Sequence, residues 1–279
     1  MIDSHLHVWQ RSVSSYRWLD HAPPALQTDH DLDQALAAVG AHGFEQAVLV
    51  QADETLEETA YLLALVASAP RLRGAVCYLP LEDPGTVARM LPQLVDDAGF
   101  VGVRNLTHDR PDPDWVLGLE QRRSIELIEQ AGVPLDVVAV LPRHRENLVT
   151  LAQQHPELTL VLDHLGTPPM TETGAPFAGW LDQIAAVAAC PNVVAKISGI
   201  YAADGAVTPA QMADLVATAL SLFGPDRLMI GSDWPVCEAH GGIEPTLKAL
   251  VSAVERLSQE QQRALRTDTA TRVYRLDRA

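Results

Sequence analysis

Residues 193–233 comprise two short apolar runs, Val193-Val194-Ala195-Lys196-Ile197-Ser198 and Leu228-Met229-Ile230-Gly231-Ser232-Asp233, and between them a stretch that contains Thr208-Pro209-Ala210-Gln211. Near-continuous apolar runs of this length are typical of parallel strands that are buried on both faces. In the stretch between them, the Thr hydroxyl can cap a helix, the proline suits its first position, and the glutamine completes a capping box. The segment therefore predicts a strand, a helix and a second strand.

The same alternation extends along the whole chain. Seven steps separate His7 from Asp233, about 32 residues each, which suits repeated βα units. We therefore predict an α/β fold, a single (β/α)₈ TIM barrel over residues 1–279 with a closing helix over Glu260–Leu276. An open, doubly wound sheet is the alternative, since alternation alone does not distinguish the two. The six further strands are predicted at Ile2–Val8, Ala47–Gln51, Gly74–Leu79, Phe100–Arg104, Val133–Val140 and Thr159–His164.

The composition argues against several classes of function. Lys and Arg number 20 against 36 Asp and Glu, a net charge of −16 at pH 7, and such a surface repels nucleic acid and anionic membranes. No apolar run approaches the roughly 18 residues of a membrane helix, and Met1–His5 lacks the start of a signal peptide. Cys77, Cys190 and Cys237 form no CxxC pair and are expected to be buried free thiols. We expect a cytoplasmic protein with a small-molecule partner, and the sequence does not indicate its oligomeric state.

Polar side chains stand at the ends of several predicted strands, where a parallel barrel forms its site. His5 and His7 are two residues apart, so strand periodicity directs both side chains into the barrel. Strand 6 ends in His164, strand 8 in Asp233 and strand 4 in Arg104. An ionisable group that ends an apolar strand is costly to bury unless it is paired or bound to something. We therefore predict that these five side chains share one site.

Each of the single residues also has a structural interpretation. His164 could bond to a carbonyl of a neighbouring loop, Asp233 could cap a helix, and Arg104 could pair with a surface carboxylate. The three histidines together with Asp233 favour the site interpretation, because four such groups at strand ends are harder to explain one by one.

Three further polar or aromatic residues lie on or near strand ends. Gln51 is predicted to hydrogen-bond a substrate hydroxyl, with a bond to a neighbouring strand end as the alternative. Trp9 is predicted to stack on a sugar ring, with packing of its loop onto the barrel as the alternative. Lys196, within an apolar run, is expected to form an ion pair inside the barrel rather than to act in catalysis.

The His-x-His, His and Asp pattern is part of six longer blocks that follow one another along nearly the whole chain. They are Asp3-Ser4-His5-Leu6-His7-Val8-Trp9, Val48-Leu49-Val50-Gln51, Gly102-Val103-Arg104, Val161-Leu162-Asp163-His164-Leu165-Gly166, Lys196-Ile197-Ser198-Gly199 and Gly231-Ser232-Asp233-Trp234-Pro235-Val236. Together the blocks resemble the lactonase branch of the amidohydrolase superfamily, which includes L-fuconolactonases, L-rhamnonolactonases and pyrone-dicarboxylate lactonases. The resemblance implies a (β/α)₈ barrel that hydrolyses an intramolecular ester. By position, the core site residues are His5, His7, His164 and Asp233, and Arg104 contacts the substrate.

The resemblance leaves the cofactor open. His5, His7 and Asp233 would suit one divalent ion, zinc or manganese, in a site with an open position. Metal-independent hydrolysis is the alternative, because the branch includes such enzymes. Strand 5 offers only Asp136 as a further ligand, so a second metal is not expected. The stretch 237–242 differs from the substrate loop expected of a fuconolactonase and leaves the sugar unassigned.

The predicted reaction is the attack of water on the carbonyl of a small, sugar-derived lactone. Asp233 is the candidate base for the water and then the acid for the ring oxygen. His164 with His5 or His7, or a bound metal, would polarise the carbonyl. A metal-dependent decarboxylase of a small aromatic or unsaturated acid is the alternative on the same barrel. A barrel that only binds its ligand is disfavoured, because none of the four core residues is missing.

Overall fold

Eight parallel strands form the core of the molecule, in the order in which they occur along the chain. The structure is a computed structural model that describes residues 1–170, 175–202 and 207–277. The predicted (β/α)₈ barrel is confirmed, and the open-sheet alternative is wrong because the first and last strands also meet. The strands are β1 (Ile2–Leu6), β2 (Gln46–Val50), β3 (Leu72–Cys77), β4 (Phe100–Asn105), β5 (Leu135–Val138), β6 (Leu160–Asp163), β7 (Val193–Ile197) and β8 (Leu228–Ile230).

The barrel closes where β1 meets β8. The Asp233 N–H donates to the carbonyl of His5 at 2.9 Å, and the His7 N–H donates to the carbonyl of Trp234 at 2.8 Å. Gly231 lies at this junction, and a Cβ there would be 2.8 Å from the Cβ of His5, so no larger residue fits. The closure brings the carboxyl ends of the first and last strands together, and with them His5, His7 and Asp233.

One helix follows each strand and covers the outside of the barrel. The predicted cap of α7 is present: the Thr208 hydroxyl accepts from the Gln211 N–H, and the Gln211 side chain accepts from the Thr208 N–H. Within the described ranges, no helix has the length and the apolar character needed to cross a membrane. The helices are α1 (Leu32–Gly40), α2 (Leu56–Ser68), α3 (Pro84–Val95), α4 (Leu119–Gln130), α5 (Pro142–Gln154), α6 (Ala175–Ala188), α7 (Pro209–Phe223) and α8 (Ile243–Glu255).

The C-terminal segment packs against the amino-terminal end of the barrel. It consists of α9 (Gln259–Arg263), a π-helical turn (Ala264–Asp268) and α10 (Thr269–Val273), where the sequence predicted one closing helix. Tyr274, which follows it, is 1% exposed, and its hydroxyl donates to Oδ2 of Asp136 at 2.7 Å. The segment therefore contributes a side chain to the barrel interior.

The barrel interior changes from apolar to charged toward the carboxyl ends of the strands. Lys196 Nζ lies 2.5 Å from Oδ2 of Asp136 and 3.1 Å from Oδ1 of Asp163, and all three side chains are buried. This confirms the ion pair predicted for Lys196. The apolar layer near the amino-terminal ends includes Ile2, Val48, Val101, Val161, Val194 and Met229. Cys77, Cys190 and Cys237 are free and buried, as predicted.

Candidate active site

A cavity of about 340 Å³ opens among the loops that follow the strands. Its lining includes His7, His164, Asp233 and Arg104, four of the residues predicted to form the site. His5 is fully buried and lies against two of these lining residues, His7 and Arg104. The cavity stands at the end of the barrel where parallel βα folds form their sites.

The chain turns sharply where two of these residues stand. His164 has φ 56° and Asp233 has φ 57°, in the left-handed region that costs a non-glycine residue of order 1–3 kcal/mol. Both residues come just after strand ends, since β6 ends at Asp163 and β8 at Ile230. Strained backbone of this kind persists where the surrounding contacts impose it, and it clusters at functional sites.

One carboxylate stands among three imidazoles. Oδ1 of Asp233 lies 3.4 Å from Nε2 of His7, 3.6 Å from Nε2 of His5 and 4.0 Å from Nε2 of His164. The Nε2 atoms of His5 and His7 are 3.1 Å apart. The structure thus brings together all four predicted core residues from three different strand ends. Their roles in catalysis remain predictions.

The hydrogen bond to Val50 determines which nitrogen of the His7 imidazole carries the lone pair. Nδ1 of His7 lies 2.7 Å from the carbonyl oxygen of Val50, which can only accept, so Nδ1 carries the proton. Burial lowers the pKa of His7, so the ring is neutral and Nε2 presents a lone pair. Burial, together with the Lys196 cation, holds the pKa of His5 well below its ordinary value. Nδ1 of His5 is 3.1 Å from Nζ of Lys196.

The ionised form of Asp233 is favoured in spite of its burial. Burial alone raises the pKa of a carboxyl group, but the neighbouring side chains of His164, His7 and His5 outweigh it. The net pKa lies well below the ordinary value for aspartate. The helix-cap interpretation of Asp233 is wrong, because the 3₁₀ turn after it is preceded by Pro235 and has no side-chain cap. Nδ1 of His164 pairs with the hydroxyl of Ser198 at 3.0 Å, not with a loop carbonyl.

Arg104 is engaged inside the barrel. Its Nη1 donates to Oδ2 of Asp163 at 3.1 Å and lies 3.0 Å from Nε2 of His5. Its partner is therefore a fully buried carboxylate, and pairing with a surface carboxylate is wrong. Burial raises the pKa of Asp163, but Lys196, His5 and Arg104 outweigh it and hold that pKa well below its ordinary value. Arg104 also lines the cavity, which is compatible with the predicted substrate contact.

Residues 2–276 match the protein family described as "Amidohydrolase". The chain belongs to the amidohydrolase family. It is similar to an L-fucono-1,5-lactonase from Burkholderia ambifaria, with 30% identity over 86% of this chain and 82% of the relative. An L-fucono-1,5-lactonase from Burkholderia multivorans is 29% identical over 99% of this chain and 96% of its own. A crystal structure of an amidohydrolase from Burkholderia multivorans with bound zinc has a TM-score of 0.85 at 29% identity, with 98% of both chains covered.

Two residues of this amidohydrolase that were predicted to contact the substrate are hydrogen-bonded to other residues of the protein. Gln51 is fully buried, its Nε2 donates to the carbonyl of Arg104 at 3.2 Å, and it is not part of the cavity lining. Trp9 lines the cavity but is fully buried, with its indole N–H donating to the carbonyl of Thr28 at 2.8 Å. Its ring packs edge-on against Trp18 at 5.2 Å. The Trp9 contacts match its structural alternative, whereas Gln51 bonds to β4, which is not a neighbour of β2 in the sheet. Contact of either residue with substrate remains a prediction.

The sequence analysis missed Tyr201 in the site of this amidohydrolase. The Tyr201 hydroxyl donates to Oδ2 of Asp233 at 2.8 Å, and the side chain lines the cavity. Tyr201 stands in the loop after β7, where neither strand nor helix periodicity indicates a direction for its side chain. The available signal was the block Lys196-Ile197-Ser198-Gly199, which ends two residues before Tyr201 at the carboxyl end of the strand.

Gly199 offers a test of how tightly this amidohydrolase holds its site. It has φ 57°, and a Cβ there would overlap Nδ1 of His164 and lie 2.9 Å from Oδ2 of Asp233. We expect Gly199→Ala to lower kcat/KM about 10- to 100-fold, because displacements of about 1 Å in a catalytic site have effects of this size. Gly179→Ala in α6 is the matched control, since its added Cβ meets nothing within 4 Å. Equal activity of the two variants would contradict the prediction.

Proposed function

We propose that this amidohydrolase hydrolyses the ring ester of a small, sugar-derived lactone to the open hydroxy acid. The observation that carries the proposal is the ionised Asp233 carboxylate beside three imidazole rings at the cavity. The similarity to two proteins named L-fucono-1,5-lactonase supports a lactone as the substrate class.

The cavity suits a small, uncharged ring. Its volume of about 340 Å³ lies at the small end of the usual range for ligand sites. Leu106, Val138 and Val236 contribute apolar surface to the lining. Among the described lining residues, Arg104 is the one lysine or arginine, and it already pairs with Asp163. A neutral lactone is therefore favoured over a dicarboxylate, whose two charges would need further cations.

The reaction needs a base, a donor for the developing oxyanion and a proton for the leaving oxygen. In the proposed sequence Asp233 accepts a proton from water as the water oxygen bonds to the lactone carbonyl carbon. The bond between that carbon and the ring oxygen then breaks, and Asp233 returns the proton to the ring oxygen, which becomes the hydroxyl of the product. When the Ser198 hydroxyl donates to Nδ1 of His164, the Nε2–H of His164 is available to the developing oxyanion.

Nε2 of His5, Nε2 of His7 and Oδ1 of Asp233 are spaced as the ligands of one divalent cation would be. The three atoms are 3.1, 3.4 and 3.6 Å apart, and two ligands of a tetrahedral zinc with bonds of about 2.1 Å are roughly 3.4 Å apart. The Nδ1–H bond from His7 to Val50 is the outer contact that ligating histidines usually make. His5, His164 and Asp233 form an overlapping candidate set, with ligand atoms within 4.8 Å of one another. A zinc or manganese ion bound here would polarise the lactone carbonyl as a Lewis acid.

We expect chelator-treated protein to take up about one equivalent of zinc or manganese per chain, as three donors around one position imply. His7→Ala should weaken this binding by at least about 10²-fold, because it removes one ligand and its outer hydrogen bond. His42→Ala is the control, since His42 pairs with the exposed Glu244 outside the cavity. Metal analysis and activity are measured on the same samples. Full activity without bound metal would contradict a metal-dependent reaction and leave the role of Asp233 in place.

The substrate class is tested with sugar 1,4-lactones, sugar 1,5-lactones and pyrones in a pH-indicator assay, because each ring opening at neutral pH releases a proton. We expect turnover of one or more neutral sugar lactones and little of the dicarboxylate pyrones. Release of CO₂ from small aromatic or unsaturated acids, with no lactone opened, would overturn the proposal in favour of the decarboxylase alternative.

A further inference from the structure

Tyr201 is held by contacts with two other parts of the site. Its hydroxyl is 2.8 Å from Oδ2 of Asp233, and its ring is stacked on His240 with centroids 4.2 Å apart and planes 5° apart. His240 belongs to the loop after β8, so the stacked pair joins the loops that follow β7 and β8. Both rings line the cavity.

The direction of the hydrogen bond follows from the charge of its acceptor. Asp233 is ionised and can only accept, so the Tyr201 hydroxyl donates. Hydrogen bonds to an ionised acceptor are short and about twice as strong as neutral ones.

The two oxygens of Asp233 have different surroundings. Oδ1 faces the Nε2 atoms of His5 and His7. Oδ2 accepts a hydrogen bond from Tyr201, its donor among the described residues. A carboxylate turns easily about its terminal bond, because this torsion is broad. The Tyr201 hydroxyl therefore sets the plane of the carboxylate and leaves the second lone pair of Oδ2 open to another donor.

We propose that Tyr201 is a positioning residue for Asp233, holding Oδ2 in the orientation in which it accepts a proton from the attacking water. The proposal rests on the proposed function in one respect, that Asp233 is the base. The stacked His240 ring holds Tyr201 in place. The same contact fixes Oδ1 toward His5 and His7, so it also supports any cation bound there.

Tyr201→Phe tests the proposal because it removes the hydroxyl and keeps the ring that stacks on His240. We expect kcat to fall about 10- to 100-fold with KM changed less than about 3-fold, the pattern for an interaction needed in the transition state. We also expect zinc affinity, measured against a competing chelator, to fall about 10-fold or more, as when an outer partner of a ligand is lost. Tyr78→Phe is the matched control, since its hydroxyl reaches Glu82 at 3.5 Å outside the cavity.

The outcomes separate this proposal from the proposed function. Unchanged kcat and zinc affinity in Tyr201→Phe overturn it, and a raised KM with unchanged kcat makes Tyr201 a substrate-binding residue instead. When the wild-type protein opens no lactone, the proposed function fails and the zinc measurement alone decides the positioning role. When the wild-type protein neither opens a lactone nor binds zinc, both proposals are overturned. Thermal unfolding of both variants shows whether a loss reflects misfolding.

Discussion

Asp233→Asn is expected to lower kcat/KM for lactone opening by about 10²- to 10⁴-fold, the usual contribution of a positioned general base. Asparagine has nearly the shape of aspartate but cannot accept a proton from water at neutral pH. The substitution also removes the negative charge at 3.4 Å from His7 and 3.6 Å from His5. We expect kcat and kcat/KM to fall together, because the lost interaction belongs to the transition state.

Asp20→Asn is the matched control for Asp233→Asn. Asp20 is exposed and pairs with Arg11 on the surface, so the same chemical change there should leave the kinetics within about 2-fold. A loss of less than about 10-fold in Asp233→Asn would remove it as the acid and base of the reaction. His7 and His164, which also line the cavity, would then be the remaining candidates among the core residues.

The strands could be predicted because each is a short apolar run, and all eight lie where the sequence analysis expected them. The strand ends were less accurate. The last predicted strand ran to Asp233, whereas β8 ends at Ile230, and the sixth ran to His164, whereas β6 ends at Asp163. In both cases the strand is followed by a residue with a left-handed backbone conformation, His164 or Asp233. Such a turn is imposed by tertiary contacts and has no local sequence signal.

The site could be predicted only where strand periodicity or the cost of burying a charge indicates the position of a side chain. His5 and His7 were found from strand periodicity, and Lys196 was correctly assigned to an ion pair because a charge in an apolar run must be compensated. Its partners Asp136 and Asp163 come from different strands, and only the register of the closed barrel identifies them. Tyr201 was missed because the direction of a loop side chain depends on what it packs against.

Lys196→Met is expected to lower the free energy of unfolding by about 3–5 kcal/mol, the usual cost of removing one partner from a buried ion pair. Lys196 is fully buried between Asp136 and Asp163, which would both remain without their shared cation. The Nζ–Nδ1 contact with His5 would be lost as well. At roughly 2–3 °C per kcal/mol for a chain of this size, the midpoint of thermal unfolding should fall by about 6–15 °C.

The penalty of Lys196→Met should grow as pH rises from 5 to 8. Burial raises the pKa of Asp136 to about 6 even though Lys196 acts to lower it, so removing Lys196 raises it further. A carboxyl whose pKa is higher in the folded than in the unfolded chain binds more protons when folded, so stability falls as pH rises between the two values. Asp163, whose pKa Lys196 helps to keep low, loses stabilisation in the same direction.

Arg123→Met, which breaks an exposed pair with Glu120, should cost less than about 1 kcal/mol at either pH. Urea unfolding at pH 5 and pH 8 measures both variants, and a loss in Lys196→Met no larger than in Arg123→Met would contradict the prediction.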